Sequence, residues 1–187
     1  MNRTAYTAQK LARLLHTAQH RGIKTSIDVV SEAGERFHRI VPPALRYADY
    51  CIINEIEAQA TTGITLVNES GDPIPEAMIT ALQKMKDLGV STWAVIHCPQ
   101  GGYGLDENNN YVEVPGLKLP EDYIKGSVGA GDAFCSGVLY AAWKGLDLRH
   151  GLELGTAAAA CSLSQPGATE GMRSAEETMS LYRKFRS

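Results

Sequence analysis

Late in the chain, "IKGSVGAGDAFCSGVLYAAWKG" sets Gly126, Gly129, Gly131 and Asp132 directly ahead of apolar residues at helical spacing, Phe134, Val138, Ala141 and Ala142. Glycine and aspartate are poor inside a helix, so the cluster reads as a helix entrance. A glycine-rich turn feeding a helix leaves backbone N–H groups and the positive end of the dipole facing outward, a setting that suits phosphate. A carboxylate in that place repels phosphate unless its task is to take a proton beside one. The chemistry that uses both is phosphoryl transfer. The N–H groups of Gly129, Ala130 and Gly131 form an anion hole for the charge developing on the transferred group, and Asp132 accepts the proton of an attacking hydroxyl. The plain alternative for Asp132 is a carboxylate offsetting the helix dipole, worth about 0.3–1 kcal/mol. The chain has no G-x-x-x-x-G-K-[ST], so the loop is not a P-loop. A dinucleotide oxidoreductase would need G-x-G-x-x-G after an early strand with an acid ~20 residues on, and "GSVGAGD" lacks that spacing and comes late.

Elements must position this loop. "AYTAQKLARLLHTAQHRG" places Ala8, Leu11, Leu14 or Leu15 and Ala18 on one helical face and stops at Gly22. "IKTSIDVV" reads as a strand, and Pro42 and Pro43 break the segment after it. "YADYCIIN" is a buried strand ending at Asn54. "EIEAQATTG" is a short helix closed by Gly63, and a further helix runs from about Glu76 to Leu88. "STWAVIHC" is the third strand, and "PQGGYGLDENNNYVEV" a hairpin around Asp106–Asn110. Helices at Ala130–Lys144, Leu148–Ser164 and Ser174–Arg186 complete the chain. Alternating strands and helices predict an α/β fold with a mostly parallel sheet covered by helices on both faces. At 187 residues, one domain over 1–187 is expected. Ligands of such sheets sit at the C-terminal strand ends, toward which Asn54, His97 and the glycine loop all fall.

Bulk properties narrow the partners. A net charge of -3 provides no basic field for nucleic acid or an anionic membrane surface. Cys51, Cys98, Cys135 and Cys161 show neither metal-ligand nor C-x-x-C spacing and sit in apolar runs, as buried reduced thiols do. No apolar run approaches ~20 residues, and Met1–His20 reads as a polar helix rather than a signal. A cytoplasmic protein is expected.

"GAGDAFCSGVL" closely resembles the second signature of the ribokinase-like (phosphofructokinase-B, PfkB) carbohydrate kinases, "NEIEA" resembles their N-x-x-E motif, and "AAAACSLSQPGATEG" their C-terminal nucleotide-site segment. The resemblance runs in order from Gly22 to Gly171. It implies an ATP-dependent sugar kinase that moves the γ-phosphoryl of ATP to a sugar hydroxyl. By it, Asp132 is the catalytic base, and Asn54 and Glu57 support Mg²⁺ through its waters. His97 and Gly102 stand where the family places a T-x-G-x-x-G nucleotide contact, here "HCPQGG" with Pro99 in place of the first glycine. Ala157 and Ala160, in the run Ala157–Ala160, form an adenine wall, serve close helix packing, or do both. Gly126 replaces an Asp tied to a monovalent-cation site, so the resemblance does not extend to K⁺ activation, and "DVV" at Asp28–Val30 replaces a D-x-N. Members run to about 300 residues, so the resemblance implies the C-terminal part only, without the N-terminal sugar-binding segment and lid. An uncovered sheet edge then predicts self-association or a homodimer. The rival reading is a non-catalytic nucleotide-binding remnant or subunit that needs a partner segment.

Overall fold

The computed structural model describes residues 3–30 and 37–186. Met1 and Asn2, the start of the expected polar helix, lie outside the described residues. The expected α/β fold is present, with a five-stranded, mixed and mostly parallel sheet in the order β1-β2-β3-β4-β5. Its strands are β1 (Ser26–Ile27), β2 (Tyr50–Asn54), β3 (Trp93–Cys98), β4 (Gly101–Leu105) and β5 (Tyr111–Pro115). The chain forms two compact units, Met1–Ile96 with Gly104–Tyr111, and His97–Tyr103 with Val112–Ser187.

In the first unit α1 (Arg3–His20) packs on α2 (Phe37–Leu45), and β1 pairs parallel to β2 with Ser26 opposite Tyr50. The inward face of α1 is Ala8, Leu15 and Ala18, while Leu11 and Leu14 are exposed. Gly22, at φ 74°, ends that helix turn as expected. The strand predicted over "IKTSIDVV" is only Ser26–Ile27. Asp28 ends it by accepting a hydrogen bond from the N–H of Val29 (2.8 Å), and Val30 is exposed.

Pro42 and Pro43 do not break the chain but sit inside α2. Two interior prolines remove two helical bonds, yet Val41, Ala44 and Leu45 on the same helix are buried. Burying side chains of this kind contributes about 1.5–3 kcal/mol for each large one, which offsets the loss.

Asp49, just before β2, ties the unit together. Its buried carboxylate accepts from Lys24 Nζ (2.8 Å), the Thr25 N–H (2.9 Å) and hydroxyl (3.1 Å), and Gln19 Nε2 (3.1 Å). Burial alone would raise its pKa, but these donors outweigh it and hold the carboxyl below its ordinary value.

The second unit holds α5 (Ala130–Trp143), α6 (Leu148–Leu163) and α7 (Ala175–Phe185). Helices α5 and α6 touch backbone to backbone at paired glycines. A Cβ on Gly137 would lie 2.8 Å from the Cα of Gly155, and one on Gly155 would lie 2.9 Å from the Phe134 carbonyl oxygen. Residues Ala160 and Cys161 of α6 meet Leu181 of α7, with Tyr123 and Phe185 packed alongside. Cys51, Cys135 and Cys161 are buried, Cys98 is half-buried, and all four are free thiols. Among the described residues no helix is long and apolar enough to cross a membrane.

Candidate functional site

The N-terminus of α5 is built by glycines with different physical causes. Gly129 is its N-cap, in the left-handed region at φ 80°, and an added Cβ would fall 2.7 Å from the Cβ of Ala168. Gly126 lies against the carbonyl oxygen of Pro166, 2.8 Å from where its Cβ would stand. The loop after α6 is therefore seated on the glycine cluster. Buried Ser162 fixes it there, its hydroxyl 3.3 Å from the carbonyls of both Val128 and Ala168 and shared between them. A further bond runs from the Lys125 N–H to the Leu163 carbonyl (2.8 Å). The alanine-rich and "QPGATEG" segments are thus brought to the glycine cluster. Sequence reasoning misses the role of Ser162, since a serine inside an apolar helix carries no distinctive signal.

Gly131 is different. Its φ is not positive, and a Cβ would meet only His97, with Cε1 at an ordinary contact distance of 3.5 Å and Nε2 at 4.0 Å. Among the described residues nothing requires glycine at this position. What its missing side chain leaves is clear space at the mouth of the helix, beside the first-turn N–H groups. Of the predicted anion hole, Ala130 N–H leans back toward the Ser127 carbonyl at 3.4 Å, and the Ala133 N–H closes the turn on the Gly129 carbonyl (2.8 Å). Asp132 stands in the first turn and is exposed. Among the described residues nothing pairs with its carboxylate; its carbonyl accepts from Ser136 (2.8 Å), an ordinary turn contact.

His97, at the end of β3, stacks on Phe134 of α5, with ring centroids 4.6 Å apart and planes at 27°. The Cε1–Nε2 edge faces Gly131. Burial alone pushes its pKa down to about 4, so the ring is neutral near pH 7. Gly102 is closely packed. It is buried, and a Cβ there would lie 2.9 Å from Cζ of Phe134. Ala157 and Ala160 are also buried, at 0% and 3% exposure, as close helix packing requires.

The predicted metal residues lie in the first unit, at the start of α3 (Glu55–Thr62). Asn54 and Glu57 form a reciprocal capping box. Asn54 Oδ1 accepts from the Glu57 N–H (2.9 Å), and Glu57 Oε2 accepts from the Asn54 N–H (3.0 Å). Glu57 is buried, and Glu55 is held above its ordinary pKa first by burial and then by the charge of Glu57. Two carboxylates and an amide in one turn make a hard-oxygen donor set of the kind Mg²⁺ shares with phosphates and water. Among the described residues no three His, Cys, Asp or Glu side chains gather as a group that could hold a metal ion.

The fold is one shared with sugar kinases of known structure. Arabidopsis thaliana ribokinase, solved with ribose and ATP, superposes with a TM-score of 0.76 at 18% identity, over 94% of this chain and 53% of its own. Escherichia coli phosphofructokinase-2, solved with potassium, gives 0.74 at 23% identity, over 95% and 52%. Thermotoga maritima 2-dehydro-3-deoxygluconokinase gives 0.73 at 21%, over 94% and 56%. The chain thus spans about half the length of the structures it matches. No curated protein sequence matches it. The chain belongs to the pfkB family of carbohydrate kinases, whose model matches residues 5–175. That match begins near the N-terminus of this chain, which gives no support to reading it as the C-terminal part alone.

Proposed function

We propose that the chain is an ATP-dependent sugar kinase that transfers the γ-phosphoryl of ATP to a sugar hydroxyl at the N-terminus of α5. The observation that carries this reading is the pairing of Gly131, a glycine with no packing reason, with Asp132 beside it, exposed and without a partner among the described residues. Asp132 takes the hydroxyl proton as the sugar oxygen bonds to the γ-phosphorus. The bond from that phosphorus to the β,γ-bridging oxygen breaks, and ADP leaves. The first-turn N–H groups, with Gly129 setting their direction, hold the charge on the equatorial oxygens. Asn54 and Glu57 would hold Mg²⁺ through water, and the ion would neutralise phosphate charge when bound. The resemblance and the family's other members support ATP as donor and a small sugar or sugar derivative as acceptor.

A second reading has a specific observation in its favour, the half-length span against the matched kinases. On it, the chain is a nucleotide-binding module that needs a partner segment for turnover. Calorimetry with Mg·ATP, followed by an ADP-release assay over ribose, fructose, 2-keto-3-deoxygluconate and nucleosides, separates the two. Sugar-dependent ADP release supports the kinase. ATP binding without release supports the module, and no ATP binding removes both.

A further inference from the structure

We infer that Ser162 is a positioning residue for the proposed phosphoryl transfer, its hydroxyl holding the Val128–Gly129 peptide so that the Gly129 N–H keeps one direction. The inference rests on the transfer proposed above and deepens it by naming what aims a donor in that site. Three observations carry it. Ser162 is 1% exposed, and its Oγ stands 3.3 Å from the carbonyl oxygens of both Val128 and Ala168. Val128 immediately precedes Gly129, the N-cap of α5. Ala168, at the other end of the shared contact, is the residue whose Cβ would lie 2.7 Å from a Cβ on Gly129.

A hydroxyl has one proton, so Ser162 donates to one of its two carbonyls at a time. Both distances are long for an O–H···O bond, which is usually about 2.7–2.8 Å. Such bonds recover little of the cost of burying the hydroxyl, and alanine, already present at Ala157–Ala160 of the same helix, is the better helix former. The stability of α6 therefore does not account for a serine here. What the hydroxyl supplies is a proton at the point where two carbonyl oxygens converge. The Val128–Gly129 peptide is planar and trans, so the Val128 carbonyl and the Gly129 N–H point in opposite directions. Turning the carbonyl toward Ser162 turns the N–H away from it. Among the described residues no backbone carbonyl takes that N–H. A donor fixed in this way meets charge that develops during a reaction without reorganising at that moment. Ser162 touches no reacting atom and acts through Gly129.

The test compares Ser162→Ala with Thr178→Val. Thr178 is also buried, at 2% exposure, but its hydroxyl accepts from Cys161 Sγ (3.8 Å) on the side of α7. Transfer of ³²P from γ-labelled ATP to the sugar panel by the 187-residue chain gives kcat and KM. Removing an oxyanion donor outright costs about 10²–10³-fold in kcat, so loosening one should cost roughly tenfold or more. The expected result is that fall in Ser162→Ala with the KM for ATP within about threefold of wild type, and Thr178→Val within about twofold in both. An unchanged kcat in Ser162→Ala, an equal fall in both variants, or a change carried by KM alone overturns the positioning role while leaving the transfer in place. No transfer by the wild type overturns the proposed reaction and this inference with it. A ¹⁵N-glycine spectrum reads the peptide without turnover. The Gly129 amide signal should move or broaden in Ser162→Ala and stay in place in Thr178→Val, and a Gly129 signal unmoved in Ser162→Ala overturns the role. Should Ser162→Ala not fold, Ser162→Cys, with a weaker donor at the same place, is judged by the same criteria.

Discussion

Gly129 and Gly131 stand two residues apart, and alanine should act oppositely at the two positions. At Gly129 the backbone is left-handed, which costs an L-residue about 1–2 kcal/mol. The new Cβ would also sit 2.7 Å from the Cβ of Ala168 and 2.9 Å from its Cα and carbonyl oxygen. Overpacking of that kind adds about 1–3 kcal/mol, so Gly129→Ala should lose roughly 2–5 kcal/mol of stability. At Gly131 the backbone is ordinary, the contact to His97 is 3.5 Å, and alanine is the better helix former by up to ~1 kcal/mol. Gly131→Ala should therefore be as stable as the wild type or slightly more so. Its methyl nevertheless occupies the space at the helix mouth and should weaken ATP binding about tenfold, equivalent to ~1.4 kcal/mol. Urea denaturation and ATP calorimetry on the two variants measure both quantities. A Gly131→Ala protein that is clearly destabilised, or that binds ATP as tightly as the wild type, refutes the argument that this glycine is kept for a ligand.

Acidification should expose the burial of His97. With its folded pKa near 4 and an unfolded value near 6.5, the unfolded chain binds a proton that the folded chain refuses between those limits. Stability is thus lost as pH falls through that window, by roughly 2–3 kcal/mol at pH 4.5, and urea midpoints of His97→Phe should show less of this loss than the wild type. Asn54→Ala removes one half of the capping box at the start of α3 and should cost about 0.5–2 kcal/mol by the same assay, with Asn54→Asp retaining most of it. Trp93 lies in the first compact unit and Trp143 in the second. If residues 1–187 behave as one domain, fluorescence of single-tryptophan variants should give coincident unfolding transitions, and separated midpoints would show two independently folding units.

Much of the fold was legible because its signals are local. The Asn54 strand end, Gly63 at φ 73° and the α5 entrance at Gly129 each come from one residue type with one backbone requirement. The prolines of α2 misled because their cost is local, while the burial of Val41, Ala44 and Leu45 that offsets it is tertiary. Leu11 and Leu14 satisfied the helical period but are exposed, since periodicity fixes a stripe only to within a residue or two. At the site, the sequence marked Gly131 and Asp132 but could not separate glycines needed for packing from one that packing leaves unexplained. That distinction needs distances, as does the stacking of His97 on Phe134, two residues 37 positions apart in sequence. For Gly102, Ala157 and Ala160 the motif position gave no sign of their burial, which is a tertiary property.

In the proposed reaction Asp132 removes a proton from a sugar hydroxyl beside an anion-binding helix end. Transfer of ³²P from γ-labelled ATP to the sugar panel, measured for the wild type and Asp132→Asn with ATP affinity determined in parallel, tests it directly. The amide is nearly isosteric but cannot take the proton, and base catalysis typically contributes 10²–10⁴-fold. The expected outcome is ATP affinity within about threefold of wild type, with phosphoryl transfer lowered at least a hundredfold. Similar labelling rates in the two proteins, or ATP binding with no transfer by the wild type, would contradict catalysis by this chain at Asp132.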